Sequence, residues 1–447
     1  MSEKQLKKEL GFAVAFSLVV GTTIGSGVFM KPGEVLEYTG GSSMALLAWL
    51  LGGVITLASG LTVAEVSAQI PKTGGLYVYM EEAYGKVWGY LSGWVQTVIY
   101  GPAIIGALGL YMGSMVTFLF GWEKEWAPWI GIGTVFFMAL VNSLGTKYAG
   151  WVQTVSTGAK LIPIVLIIVF GLWKGEAPVF GADSGSGAAE FSMGAAILAT
   201  LFAYDGWILV GSVAGEMKNP SRILPKAIFI GIGLITVVYL LVNAAILHIL
   251  PAEQIVKLGE NAAGAAASVV FGPMGGKLIT IGIIVSIFGS LNGKVLTFPR
   301  VPFAMAERGQ LPGARLLSWV HPAAGTPVIA ILLQVTLATL MMLAANPDKL
   351  TQISIFIIFI FYSFVFAAVF LLRRRHEGRV RPYSVPLYPW VPLLAIAGSG
   401  FVVVSTLIQQ PADSLAAIGI TLAGLPMYWL LKRRRQTETE QHEQKAS

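Results

Sequence analysis

The chain is a nearly uninterrupted succession of apolar segments, each about as long as a membrane-spanning helix. An α-helix needs about 20 apolar residues to cross the roughly 30 Å hydrocarbon core of a bilayer. Only 12% of the 447 residues are charged, whereas a typical soluble domain carries about 25% charged residues. The sequence therefore predicts an all-α integral membrane protein of twelve transmembrane helices. In chain order, segments one to twelve are 11–37, 43–69, 87–115, 127–144, 149–173, 191–215, 226–249, 277–304, 326–345, 351–372, 388–408 and 412–431.

Basic residues are distributed unevenly between the loops that join these segments. With the N-terminus on the cytoplasmic side, 22 of the 30 Lys and Arg residues fall in cytoplasmic stretches and six fall outside. The remaining two, Lys160 and Lys294, are expected inside the membrane. Because Lys and Arg concentrate on cytoplasmic loops, the sequence predicts a multi-pass protein of the cell membrane with both termini in the cytoplasm. The same distribution argues against nucleic acid as a partner.

Composition excludes several kinds of chemistry. The chain has no cysteine and four histidines, which leaves no disulfide, no thiolate nucleophile and little material for a metal centre. No HExxH, GxSxG or GxGD pattern is present, so no spacing suggests an intramembrane hydrolase. We expect neither enzymatic activity nor a metal or cofactor.

Two segments carry helix-weakening residues at mid-depth. Segment one contains "GTTIGSGVFM" (21–30), and segment six contains "LFAYDGWILV" (201–210). Irregular backbone inside a membrane is tolerated only where it faces protein or a wet cavity. Interrupted helices at matching positions of two inverted repeats indicate a secondary transporter whose substrate binds between the repeats. We therefore predict one domain over 1–431, with repeats at about 11–173 and 191–372, extra helices over 388–431, and a cytoplasmic tail over 432–447.

An interrupted helix exposes backbone groups of both polarities. The N–H groups at the start of a half-helix suit a carboxylate, and the carbonyl groups at the end of the other half suit an ammonium. A substrate with both charges a few ångströms apart is an α-amino acid. Gly25, Ser26 and Gly27 would bind its carboxylate, and carbonyls near Thr23, Phe202 and Asp205 would accept from its amino group.

Several motifs also resemble a known family. They are "GTTIGSGVFMKPG", "AEVSAQIPKTGGLYVYMEEAYG" (64–85), "FAYDGW" (202–207), "EMKNPSRILPKA" (216–227), "GSLNGKVLTFPRVPFAMAERGQLP" (289–312) and "RPYSVPLYP" (381–389). Together they resemble the L-type amino acid transporter branch of the amino acid–polyamine–organocation superfamily, especially its bacterial members. The resemblance spans nearly the whole chain.

The resemblance implies five-plus-five inverted repeats with two extra helices. It also implies sodium-independent exchange of small neutral amino acids, with serine and threonine preferred, across the bacterial cell membrane. Phe202 would be an aromatic lid on the outer side of the substrate, and Tyr239 would lie near the site. Animal relatives are joined to a single-span subunit through a cysteine, so a cysteine-free chain would have no such covalent partner.

Three charged residues, Lys160, Asp205 and Lys294, are expected inside the membrane. A lysine at mid-membrane is functional by default, and Lys160 is expected to replace the sodium ion that joins segments one and eight in sodium-coupled proteins of this fold. Asp205 would contact the substrate ammonium, cap a half-helix or tune the site. Lys294 would line the inner vestibule or extend to the interface.

The substrate side chain is expected to lie in a pocket of small and aromatic residues. Ser286 and Ser290 are four residues apart and share one face of segment eight. The alternative function is proton-coupled uptake of neutral amino acids, in which Asp205, Glu65 or His248 would titrate. The predicted gate and pocket residues are Ile24, Phe202, Ala203, Tyr204, Gly206, Trp207, Tyr239, Ser286 and Ser290.

Overall fold

The chain is described by a computed structural model. It covers residues 11–70, 75–145, 155–156, 158–181, 191–208, 210, 217, 219–378 and 381–433. Most of the predicted tail 432–447, the end of segment six and the start of segment five lie outside these described residues. Within them, eight helices are long and apolar enough to cross a membrane, and four apolar helices are shorter.

Each predicted segment contains helix in its described part. Segment one holds three short helices. Segment three holds two helices, and a single turn of π-helix joins them. In chain order the helices of segments one to twelve are Phe12–Thr23, Gly27–Met30 and Pro32–Thr39; Ser42–Gln69; Lys86–Val95 and Gly101–Phe120; Ala127–Ser143; Leu161–Lys174; Met193–Ala203; Pro220–Ile249; Ala262–Thr297; Val328–Ala344; Pro347–Arg375; Trp390–Gln409; and Pro411–Leu422.

Shorter helices connect some of these segments. Leu76–Tyr84 follows segment two, Ala252–Leu258 follows segment seven, and Arg300–Glu307 and Ala314–Leu317 follow segment eight. The long helix Ala262–Thr297 bends at Gly272, next to Pro273, which lacks the backbone N–H of a regular helix. Segment eight proper is therefore the part after this bend.

Burial separates a central group of segments from a peripheral one. In segments two, three and ten, 67%, 72% and 67% of the most apolar stretch is buried. In segments eleven and twelve the share is 28% and 22%. Segment seven packs on one, two and five, and segment three packs on eight, nine and ten. Residues 23–36 of segment one and 194–207 of segment six are all buried, as backbone that leaves the helical ladder in a membrane requires.

Candidate functional site

Segment one is interrupted at the predicted place. Its first helix ends at Thr23 and the next begins at Gly27, with bends at 24–26 between them. Within the described residues, the N–H groups of Gly25 and Ser26 donate to no backbone carbonyl. Because the first N–H groups of a helix lack intrahelical partners, Gly27 extends this run of N–H groups, of which that of Gly25 also faces the Tyr239 hydroxyl. These are the three residues predicted to bind a carboxylate.

Segment six ends its helix at Ala203, and the chain continues through turns to Ile208. Gly206 has a φ of 119°, which takes the backbone out of the helical path. Its carbonyl accepts a hydrogen bond of 3.1 Å from the Thr22 hydroxyl. The two interruptions therefore meet in space, although 184 residues separate Thr22 from Gly206.

Tyr239 joins the two interruptions from segment seven. Its hydroxyl lies 3.0 Å from the Thr23 carbonyl and 2.8 Å from the Ala203 carbonyl. The Phe202 carbonyl accepts from the Asp205 N–H at 3.2 Å. Of the carbonyls predicted to accept from a substrate ammonium, those of Thr23 and Phe202 thus already contact protein donors, and a carbonyl has two lone pairs. The Thr23 hydroxyl, by contrast, is buried with no partner among the described residues.

Segment eight approaches the first interruption through its serines. The Ser286 hydroxyl lies 3.5 Å from the Gly25 carbonyl, and the Ser290 hydroxyl donates to the Ser286 carbonyl at 3.0 Å. A side chain at Gly25 would begin 2.8 Å from the Ser290 hydroxyl oxygen. The structure thus places the predicted pocket serines directly against the segment-one interruption.

The aromatic residues of "FAYDGW" point in different directions. Tyr204 donates to the Trp49 carbonyl at 3.0 Å and packs on the Trp49 and Tyr239 rings, so it faces segments two and seven. Trp207 packs on Tyr362 of segment ten, with ring centroids 6.1 Å apart. Ile24 and Ala203 are both buried.

Lys160 is buried at the start of the helix of segment five. Its ammonium donates to the Gly21 carbonyl in the last turn of the first helix. The contact fits the predicted tie to segment one. Segment five also packs on segment eight.

Asp205 and Lys294 form a buried ion pair that the sequence interpretation did not anticipate. Their charged atoms are 2.7 Å apart, and the side chains are 6% and 10% exposed. The Tyr100 hydroxyl donates to the other carboxylate oxygen at 2.6 Å, and Tyr362 lies beside both Tyr100 and Asp205. In this structure the Asp205 carboxylate is therefore bound by the Lys294 ammonium and the Tyr100 hydroxyl.

A second buried charge cluster was also missed. The Lys31 ammonium contacts Glu34 on its own helix, the Asp348 carboxylate at 2.8 Å and the Thr351 hydroxyl at 2.9 Å. It also lies 5.4 Å from the centre of the Phe202 ring and 5.6 Å from that of Tyr111. Segments one and ten are thereby joined directly above the predicted aromatic lid.

A cavity of about 510 Å³ opens beside Tyr100, whose hydroxyl donates to Asp205. Tyr100 and Tyr362 line it, whereas none of the segment-one interruption does. Arg308 lies among its lining residues and contacts Glu81 at 2.9 Å and the Tyr77 hydroxyl at 2.9 Å. Burial, together with the charge of Glu81, raises the pKa of Tyr77. The cavity is therefore bounded by tyrosines at one end and by charged side chains at the other.

Sequence features could have indicated Tyr100 and the Asp205–Lys294 pair as parts of the site. Pro102 in the middle of segment three marks the local irregularity that presents Tyr100. Asp205 and Lys294 carry opposite charges inside apolar segments, and such charges usually pair. No comparable signal joined Lys31 to Asp348, because Lys31 was counted among the basic residues outside the membrane and Asp348 falls between segments nine and ten.

Comparison with known proteins shows which sequences this chain is similar to. The profile of the amino acid permease family matches residues 10–431. The chain is 61% identical to the serine/threonine exchanger SteT of Bacillus subtilis (strain 168) over 430 residues, which cover 96% of this chain and 98% of that protein. The human b(0,+)-type amino acid transporter 1 is 30% identical over 440 residues, covering 95% of this chain and 88% of that protein. The human Asc-type amino acid transporter 1 is 32% identical over 445 residues, covering 95% and 82%.

Proposed function

The chain belongs to the amino acid permease family, and we propose that it exchanges small neutral L-amino acids, serine and threonine above all, across the cell membrane without sodium. The observation that carries the proposal is the meeting of the two interrupted segments. The N–H groups at 25–27, outside the hydrogen-bond ladder of the helices, lie next to the carbonyls of Thr23 and Ala203, which Tyr239 bridges. This is the arrangement that an amino acid backbone requires, and the 61% identity to a serine/threonine exchanger supports the substrate class.

The proposed architecture follows from the apolar segments, the two interruptions and the distribution of basic residues. Twelve transmembrane helices form one domain over 1–431, with two inverted repeats of five helices and two further helices at the periphery. Segments eleven and twelve are among the least buried of the described spans, although segment four of the first repeat is buried to the same 28% as segment eleven. Both termini are placed in the cytoplasm, and transport proceeds by alternating access around the fixed site.

The described state is proposed to face the cytoplasm. The cavity approaches the site from the side of Arg308 and Tyr77, which the distribution of basic residues assigns to the cytoplasm. On the opposite side, Lys31 bridges segments one and ten above Phe202. An amino acid leaving toward the cytoplasm would then pass Tyr100 and Tyr362.

Exchange is favoured over proton-coupled uptake because each candidate proton carrier has a partner. Asp205 is paired with Lys294. Glu65 accepts two hydrogen bonds from Arg373, at 2.8 and 2.7 Å, and one from the Val385 N–H. His248 Nδ1 lies 2.6 Å from the Ala177 carbonyl.

The decisive experiment is counter-transport in proteoliposomes. Uptake of labelled L-serine is compared between vesicles loaded with unlabelled serine, vesicles loaded with lysine or glutamate, and empty vesicles, all in sodium-free buffer. We expect rapid uptake only with internal serine, threonine or another small neutral amino acid. Uptake into empty vesicles that follows an imposed pH gradient would replace exchange by proton-coupled transport.

Lys160→Ala tests the proposed substitute for sodium. Loss of the ammonium leaves the Gly21 carbonyl without its buried donor and removes the charge next to the interruption, so serine exchange should fall by more than about tenfold. Insertion into the membrane should be unchanged. Lys174→Ala is the matched control, because Lys174 is exposed at the other end of the same helix. Normal exchange by Lys160→Ala would remove the proposed role.

A further inference from the structure

Segment three contains one turn of π-helix, Gln96–Tyr100. The N–H of Gly101 donates to the carbonyl of Gln96, whereas in a regular α-helix it would donate to that of Thr97. The next residue, Pro102, has no N–H to offer. The π-turn therefore leaves the Thr97 carbonyl without its helical donor in the interior of the bundle. Single π-turns of this kind often lie at functional sites.

Gln334 of segment nine supplies the missing donor. Its side-chain Nε2 donates to the Thr97 carbonyl at 2.9 Å, and the residue is completely buried. Its Oε1 has no partner among the described residues. A buried amide with one unpaired atom is costly, so the bond to Thr97 is the interaction that accounts for glutamine at this position.

Gly101 provides the space for this contact. A Cβ at position 101 would lie 2.5 Å from the Gln334 Oε1 and 2.9 Å from the Gln96 carbonyl oxygen. Real Cβ atoms do not approach so closely, so only glycine lets the amide reach the turn. The π-turn, the glycine after it and the glutamine on another segment thus form one unit.

We propose that Gln334 is a positioning residue that holds the π-turn of segment three and thereby aims Tyr100 at Asp205. Tyr100 is the last residue of the turn, and its hydroxyl lies 2.6 Å from the carboxylate. Reversion of the turn to α-helix changes the register by one residue, which rotates the side chain by about 100°. The phenol would then leave the Asp205–Lys294 pair. The inference rests on the proposed function, since Tyr100 bounds the path between the site and the cavity.

The test is a double-mutant cycle on serine exchange. Gln334→Met keeps the unbranched shape of the side chain but removes the donor, and Tyr100→Phe removes only the hydroxyl. Each should lower exchange by about tenfold, and the double variant should be no slower than Tyr100→Phe. Additive losses would overturn the inference, because a glutamine that merely stabilises the bundle acts independently of Tyr100. Thr339→Val is the control on segment nine, since that hydroxyl donates to the Val335 carbonyl of its own helix.

A second measurement does not depend on transport. With 3-fluorotyrosine placed at position 100, the fluorine resonance reports on the hydrogen bond to Asp205. We expect Gln334→Met to shift it in the same direction as Asp205→Asn, while Thr339→Val leaves it in place. An unchanged resonance in Gln334→Met would overturn the inference. A shift in a protein that fails to exchange serine would instead sustain the inference and reject the proposed function.

Discussion

Lys294→Met is expected to abolish serine exchange and to destabilise the protein strongly. The substitution leaves the Asp205 carboxylate buried with the Tyr100 hydroxyl but without its cation. Removal of one member of a buried ion pair typically costs about 3–5 kcal/mol. The effect should be visible as a large decrease in the thermal unfolding temperature of the detergent-solubilised protein and as loss of counter-transport.

The double variant Asp205→Asn/Lys294→Met distinguishes the loss of stability caused by an unpaired buried charge from a role of the pair in transport. Because it removes both charges, most of the lost stability should return, as replacement of a whole buried pair is often nearly neutral. Exchange should stay low if the pair takes part in the transport cycle. Lys257→Met is the matched control, since Lys257 pairs with Glu253 at 2.6 Å on the exposed surface and such pairs contribute little. A stable Lys294→Met single variant would show that Asp205 is neutral or hydrated in the resting protein.

Gly27→Val should also eliminate exchange, for a reason that the structure makes specific. From the sequence, a side chain at Gly27 would simply block the substrate carboxylate. In the structure a Cβ at this position would overlap the Cα and Cβ of Ala203 and lie 3.1 Å from the Ala203 nitrogen. The substitution therefore forces the interruptions of segments one and six apart. Backbone atoms cannot move aside as the end of a flexible side chain can.

The matched control for this substitution is Gly233→Val. Gly233 lies in the helix of segment seven, and a Cβ there would meet no atom within 4 Å. We expect Gly233→Val to insert and exchange normally, whereas Gly27→Val should insert but lose exchange by more than about tenfold. Gly27→Ala should be intermediate. Normal exchange by Gly27→Val would mean that the two interruptions need not touch for the protein to work.

The positions of the interruptions were predictable because their causes are local. Apolar length predicts a membrane helix, and Gly25–Gly27 and Gly206 weaken one where they occur. The described helices end at Thr23 and Ala203, beside these residues. The contact between the interruptions was expected from the matching positions of segments one and six. The roles of individual residues at the site stay predictions until the experiments above are done.

The partners of the buried charges were not predictable in the same way. Asp205 was considered as a substrate contact or a helix cap, and Lys294 as a vestibule or interface residue. Neither interpretation joined them, because 89 residues separate the pair and segments six and eight are not consecutive. Lys31 was counted among the outer loop residues, yet it is buried between segments one and ten.

The sequence by itself determined that this chain is helical, apolar along nearly its whole length and interrupted in segments one and six. These properties depend on the length of apolar stretches and on the backbone preferences of glycine, which act within a few residues. Only the tertiary structure decided that Lys294 holds Asp205, that Lys31 joins segments one and ten, and that Gln334 supports the turn carrying Tyr100. Such contacts depend on which helices are neighbours and how each is rotated. Packing of the whole bundle sets both, because a buried charge or amide is stabilised by whatever partner lies within about 3 Å.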